Sequence, residues 1–381
     1  MHNKRLPAWP NQQQLLILKA ATLPLTQAQE AWDYFSANYH IDQLDESSQR
    51  LLPLVYYNFA IKQGNTSFVL RDLLKDRFMS AYAENHYLLN AFKPVLNTLS
   101  ENHIPFIVIK GLVFLLLIYN NIGARKMMDI DLWVSSQYFN KTALILESLG
   151  WKTFKCQPLH KFDPSQSHAL SFFNDAGHSI DLHYHLFHID LNEKANEVFL
   201  NDFTTLTCYG KKIKTLLPTE HLIQCCFHGN LSGPRIAPLR WVADAYHLIE
   251  KNEIDWSRVI YIAKKNALSL YLVHTLDYLA THLHARIPPN VINELALIPV
   301  SFYDRNIYKI IHRKKDSFYI TRQYPFYLIL SNNKEKPLLY CFCLYLKTIS
   351  STNKLYYVPM KLPFKILKKL YVVYSKNNFT N

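Results

Sequence analysis

Through the first hundred positions apolar residues recur at intervals of three and four, the period of one helix face. "LLPLVYYNFAIKQ" and "LLKDRFMSAYAENHYLLNAFKPVLNTLSEN" both carry it, with Pro53 and Pro94 marking starts or kinks. The pattern changes at Pro105. "FIVI" is a short β-branched run, "LVFLLLIYNN" has the length of a buried helix of two to three turns, and "DIDLWV" alternates like a strand. "QYFNKTALILESLG" returns to helical spacing and stops at Gly150.

Short strand patterns follow in "WKTFKC", "HALSFFN" and "HSIDLHYHLF", the last two joined by "DAG", whose glycine supplies the positive φ of a hairpin turn. From "LPTEHLIQCCFHGN" the helical period resumes, with Thr219 and Asp255 as candidate N-caps. In "LRWVADAYHLIEKN", Trp241, Ala245 and Leu248 fall on one face, and Arg240 and Asp244 are spaced to pair at i, i+4. The order predicts an α+β fold. A mixed-sheet core over 101–215 is flanked by an N-terminal helical region at 1–100, a helical domain at 216–300 and a C-terminal segment at 301–381, where "KPLLYCFCLYLKTI" and "LPFKILKKLYVVYSK" are candidate helices.

Composition adds two constraints. With 381 residues, 49% of them apolar and 14% aromatic, the chain can bury a large core and exceeds the usual size of one domain. Its net charge of +13 is local: from Ser301 onward fifteen lysines and arginines face three acids, so this segment carries +12 and the rest about +1. A basic, aromatic tail of this kind offers contact to nucleic acid or to an anionic membrane. The six cysteines show no C-x-x-C spacing, which fits buried thiols in a reducing cytoplasm. No signal peptide is read in the first 25 residues, and the apolar run from Ile104 to Tyr119 is shorter than the roughly 18 residues of a membrane span and contains Lys110. A cytoplasmic protein without a transmembrane helix is expected.

The chemistry concentrates around that run. On a strand, Asp129 and Asp131 point to the same side, and paired carboxylates suit Mg²⁺ together with substrate phosphates. Lys110 and Gly111 fall between a strand and a helix, where glycine lets the backbone approach a ligand and helix N–H groups face an anion. Arg125 offers a second positive charge to a polyphosphate. Asp181, His183 and His185 share a face of "SIDLHYHLF"; beside "DIDLWV", Asp181 would bring a third carboxylate, as in-line phosphoryl transfer uses. Alternatively His183, His185 and His188 form a zinc site. Walker, dinucleotide-binding, zincin and G-x-S-x-G motifs are all missing from the sequence.

"IKGLVFLLLIYNNIGARKMMDIDLWV", then "SIDLHYHL", "LPTEHLIQCCFHGN" and "LRWVADAYHLIEKNEIDW", resemble the poorly characterised bacterial nucleotidyltransferase family of the DNA polymerase beta superfamily. The resemblance implies a polymerase-beta-like core in which Asp129, Asp131 and Asp181 are catalytic and bind Mg²⁺ or Mn²⁺. It implies further that Lys110, Gly111, Arg125 and His183 line the nucleotide site. The turn departs from the superfamily's usual Gly-Ser or Gly-Gly, with 17 residues between Gly111 and Asp129. The implied activity is transfer of a nucleoside monophosphate from an NTP to a hydroxyl acceptor, which the sequence does not identify. The competing expectation is a non-catalytic module that binds nucleic acid or anionic membrane through residues 301–381.

Overall fold

The first helix opens on a reciprocal cap: Gln14 N donates to Asn11 Oδ1 and Asn11 N to Gln14 Oε1, each at 2.9 Å. The computed structural model describes residues 9–153, 167–186, 202–231, 239–311 and 337–350, with the single residues 159, 199 and 329. Two compact units result, Met1–Pro299 and Val300–Asn381.

Helices α1 (Gln12–Thr22) and α2 (Leu25–Asn38) pack Ile17, Leu18, Trp32 and Phe35 entirely out of water. After α3 (Glu46–Gln49), α4 (Leu52–Tyr56) continues as one π-helical stretch over Tyr57–Lys62. Pro53 lies in the first turn of α4, where its missing N–H leaves no bond unmade. Pro94 does not start a helix; it lies within the 31-residue α5 (Arg71–Glu101), whose apolar face includes Leu88, Leu89, Phe92 and Val95.

The sheet follows. It comprises β1 (Phe106–Ile109), β2 (Asp129–Val134), β3 (Lys152–Thr153), β4 (Ala169–Phe173) and β5 (Ser179–His183), in the order β1-β2-β5-β4-β3. Only β2 and β5 are parallel, with Asp131 opposite Asp181; β1–β2, β4–β5 and β3–β4 are antiparallel. The β4–β5 connection is the predicted hairpin, and Gly177 has φ +80°. Between β1 and β2 runs α6 (Gly111–Phe114), prolonged by a π-helical turn at Leu115–Tyr119. Leu112, Val113, Phe114, Leu115, Ile118 and Tyr119 are all buried, so this apolar run is core. Its end is fixed by polar groups: Tyr57 Oη donates to the Tyr119 carbonyl at 2.8 Å and Lys251 Nζ to that of Ile118 at 2.6 Å, while Asn120 turns left-handed. Helix α7 (Ser136–Ser148) packs on β2.

A separate two-stranded sheet, β6 (Thr204–Cys208) and β7 (Lys211–Thr215), is tied to β1 by Thr215 Oγ1, which donates to the Val108 carbonyl at 2.7 Å. Among the described residues of the unit five further helices follow: α8 (Pro218–Leu231), α9 (Leu239–Lys251), α10 (Trp256–Lys265), α11 (Ser269–Leu283) and α12 (Pro289–Leu297). Asp255 caps α10 as expected, accepting from Arg258 N at 2.9 Å. Thr219 is not a cap. Helix α8 already begins at Pro218, a residue preorganised for the first helical position, and the Thr219 hydroxyl instead accepts from Asp255 N at 3.0 Å.

In the second unit, α13 (Phe302–Ile311) and α14 (Leu338–Ser350) are described, the latter matching the first candidate helix of the tail. "LPFKILKKLYVVYSK" and most of the tail's lysines lie outside the described residues. Among the described residues no helix is long and apolar enough to cross a membrane.

Candidate active site

The register of the sheet assembles the acids. Parallel pairing sets Asp131 beside Asp181, and His183 follows two residues later on the same strand face. One ligand atom from each of Asp131, Asp181 and His183 lies within 4.8 Å of the others. Asp129 stands at the start of β2, two residues before Asp131 on that face, but is not part of this tight group. The predicted three-acid convergence is therefore tight for Asp131 and Asp181, with His183 as the third member.

Opposite Asp131, β1 contributes Ile109, and the chain then turns sharply at Lys110 (φ 57°, ψ −127°). A non-glycine residue in this region costs on the order of 1–3 kcal/mol and persists where surrounding contacts over-determine it. Here the contact is electrostatic: Lys110 Nζ donates to Asp131 Oδ1 at 2.6 Å. His183 Nε2 donates to the same oxygen at 2.9 Å and lies 3.4 Å from Lys110 Nζ. Burial alone would raise the Asp131 pKa, but Lys110 and His183 outweigh it and hold the carboxyl well below the usual range. Asp131 Oδ1 is thus satisfied by two protein donors.

Asp129 has the opposite electrostatics. Burial, then Asp131 and Asp181, push its pKa up to about 6, against the smaller pull of Lys110 and Arg240. Two neighbouring carboxylates of one fold are thereby driven apart, one anionic throughout the neutral range and one short of positive charge.

Arg125 reaches the site from the loop before β2, and its environment is more elaborate than the sequence suggested. Its Nε lies 2.9 Å and 3.1 Å from the two oxygens of Asp244 on α9 (Leu239–Lys251), and Asp244 also accepts from Tyr119 Oη at 2.8 Å. Asp244 is 1% and Arg125 11% exposed. The expected Arg240–Asp244 pair is replaced by this one, because Asp244 points into the core toward Arg125 while Arg240 Nη1 donates to the Lys126 carbonyl at 2.6 Å. The guanidinium of Arg125 lies against the Lys-Gly turn: a Cβ built on Gly111 would meet its Nη1 at 3.0 Å. Glycine at 111 is what lets the loop arginine and the turn meet.

The loop itself is moulded onto α5. Asn85, fully buried, donates through Nδ2 to the carbonyls of Ile122 (2.6 Å) and Arg125 (2.8 Å) and accepts Met127 N at 2.8 Å. At Gly123 a Cβ would come within 2.5 Å of the Phe78 ring, so only glycine admits this approach.

Asn85, Tyr119 and Asp244 were missed at the sequence level as parts of one device. The available signal was a polar residue on an apolar helical face, as in "AENHYLL" and "WVADAYHL". As for the three-histidine zinc alternative, His183 clusters with acids, the His185 carbonyl lies 3.2 Å from His183 Nδ1, and His188 lies outside the described residues.

A mixed sheet carrying these acids beside a strand–turn–helix, with helices before and after it, has the α+β architecture of a nucleotidyltransferase. The chain belongs to the uncharacterised nucleotidyltransferase family, whose model matches residues 47–284, and so is a transferase. Among solved structures, the lincomycin-bound lincosamide antibiotic adenylyltransferase LnuA aligns at 19% identity over 42% of this chain and 94% of its own, with a TM-score of 0.30. An antigenic nucleotidyltransferase-like protein from Paracoccidioides brasiliensis aligns at 16% identity over 54% and 95%, with a TM-score of 0.38. No curated protein matches the chain.

Proposed function

We propose that this chain transfers a nucleoside monophosphate from an NTP to a hydroxyl acceptor, with pyrophosphate leaving, and that the reaction needs Mg²⁺ or Mn²⁺. The observation that carries the reading is the acid cluster next to the Lys110-Gly111 turn: ligand atoms of Asp131, Asp181 and His183 within 4.8 Å, beside an under-neutralised Asp129. Oxygen-rich donors suit a hard divalent cation, and one imidazole among them suits Mn²⁺ better than Mg²⁺. The residues fit such an ion. Asp129, Asp131 and Asp181 would hold it, with His183 as a further ligand or as the group that orients Asp131. When bound, a divalent cation neutralises charge on the transferring phosphoryl group.

The chain's own groups have distinct tasks in this reading. Lys110 keeps Asp131 anionic and places a positive charge at the N-terminus of α6, where phosphate oxygens find unpaired backbone N–H groups. Arg125, fixed by Asp244, adds a second preorganised cation at Gly111. Asp181, at the exposed side of the cluster, is the candidate base for the acceptor hydroxyl. The test is pyrophosphate release from each of the four NTPs with Mg²⁺ or Mn²⁺ and a panel of hydroxyl acceptors. Activity that Asp131→Asn abolishes without loss of folding supports transfer; activity equal in wild type and Asp131→Asn refutes this site.

A further inference from the structure

Two guanidinium groups flank the approach to β2, one against the Lys110-Gly111 turn and one on the Lys126 carbonyl, and the fold treats them differently. Arg125 is neutralised by both oxygens of Asp244. Arg240, in the first turn of α9, is half-buried and makes no ion pair among the described residues. Its Nη1 donates to the Lys126 carbonyl at 2.6 Å, which fixes the side chain at one end and beside the loop that leads into Asp129. None of its nitrogens is a buried atom without a partner, so its remaining N–H groups face accessible space.

Asp129 mirrors this condition. Its half-buried side chain makes no ion pair or hydrogen bond among the described residues, and it stands three residues beyond the Lys126 carbonyl that holds Arg240. A carboxylate and a guanidinium on the same loop approach, each lacking a counter-charge in contact, suit a ligand that is cationic on one side and anionic on the other. A divalent cation complexed to phosphate has that polarity. Arg240 also suits the task chemically, since a planar fork with free donors recognises phosphate oxygens in pairs.

We infer that Arg240 is a polyphosphate-binding residue of this site, contacting phosphate oxygens of a nucleoside triphosphate that Arg125, engaged by Asp244, meets less directly. The inference rests on the nucleotidyl-transfer reading above and adds to it a residue from the helical region. A merely structural Arg240 would only tether α9 to the Lys126 carbonyl, and the two roles differ in what they do to a bare cation.

The test uses the full chain with Arg240→Gln and Arg240→Lys. Isothermal titration with tripolyphosphate and with non-hydrolysable NTP analogues is run in Mg²⁺, and Mn²⁺ alone is titrated by electron paramagnetic resonance. Arg240→Gln is expected to weaken tripolyphosphate and nucleotide binding by about 10- to 100-fold, the value of a charge-assisted hydrogen bond. Mn²⁺ alone should bind as tightly as in wild type or more tightly, because a nearby positive charge has gone. Unchanged polyphosphate affinity overturns the inference, as does a parallel loss of Mn²⁺ binding, the mark of a displaced loop. Should Arg240→Gln fail to fold, Arg240→Lys decides: it keeps the charge but not the fork, and nucleotide affinity equal to wild type would overturn the assignment. A wild-type protein that binds neither tripolyphosphate nor nucleotide refutes the transfer reading and this inference together, whereas wild-type binding that survives Arg240→Gln refutes this inference alone.

Discussion

Replacing Asp244 by alanine would remove the only carboxylate that the described residues place on Arg125. Asp244 is 1% exposed and its two oxygens receive three contacts, two from Arg125 Nε at 2.9 Å and 3.1 Å and one from Tyr119 Oη at 2.8 Å. Breaking a buried ion pair on one side costs about 3–5 kcal/mol, because the other charge stays buried without compensation. An orphaned Tyr119 hydroxyl adds about 1 kcal/mol. For a unit of this size roughly 2 °C of Tm is lost per kcal/mol, so a fall of about 8–12 °C is expected. Calorimetry of wild type, Asp244→Ala, Asp244→Leu, Arg125→Met and the double variant Arg125→Met, Asp244→Leu measures the coupling directly. The double variant should recover most of the loss, since an apolar pair of similar volume carries no buried charge. A cost below about 1 kcal/mol for Asp244→Ala, or a double variant no more stable than the sum of its singles, would refute the reasoning.

Asn85→Ala should lower the denaturant midpoint by the equivalent of about 2–4 kcal/mol, because three backbone groups of the Arg125 loop lose their partner at once; an unchanged midpoint would show that the loop does not need α5. His221 titration gives a pH effect. Burial lowers its pKa to about 3, so the folded state keeps it neutral while the unfolded chain takes up a proton below about pH 6.5. The unfolded state therefore binds more protons between those values, and stability falls as pH drops from 6.5 toward 3, by up to about 1.4 kcal/mol per pH unit from this group. In His221→Gln, whose amide can still donate to Thr215 Oγ1, the stability profile over pH 4–6.5 should flatten; identical slopes for wild type and variant would contradict the assignment.

What the sequence disclosed followed from periodicity and local chemistry. "DIDLWV" alternates because one face of β2 is core and the other carries Asp129 and Asp131; Ile130, Leu132 and Val134 are fully buried. The "DAG" turn and Asp255 announced themselves because a positive φ and a cap need particular residues. The Thr219 cap failed because Pro218 is itself a good helix start, so two adjacent residues competed for one boundary. The partner of Asp244 was misread for a different reason. Spacing along a helix favours Arg240, but α9 turns Asp244 into the core, where Tyr119 and Arg125 arrive from 119 to 125 residues away in the chain. Long-range polar contacts of this kind leave no periodic trace; only the anomaly of a carboxylate among "WVADAYHL" hints at them.

The decisive experiment is isothermal titration of the purified chain with non-hydrolysable analogues of ATP, GTP, CTP and UTP, each with and without Mg²⁺, beside an Asp129→Asn, Asp131→Asn variant whose folding is verified by its thermal transition. A nucleotidyl-transfer site built on these carboxylates requires binding that depends on Mg²⁺ and is lost in the variant. Equal binding by wild type and variant, or no binding of any analogue by the folded wild type, would contradict it.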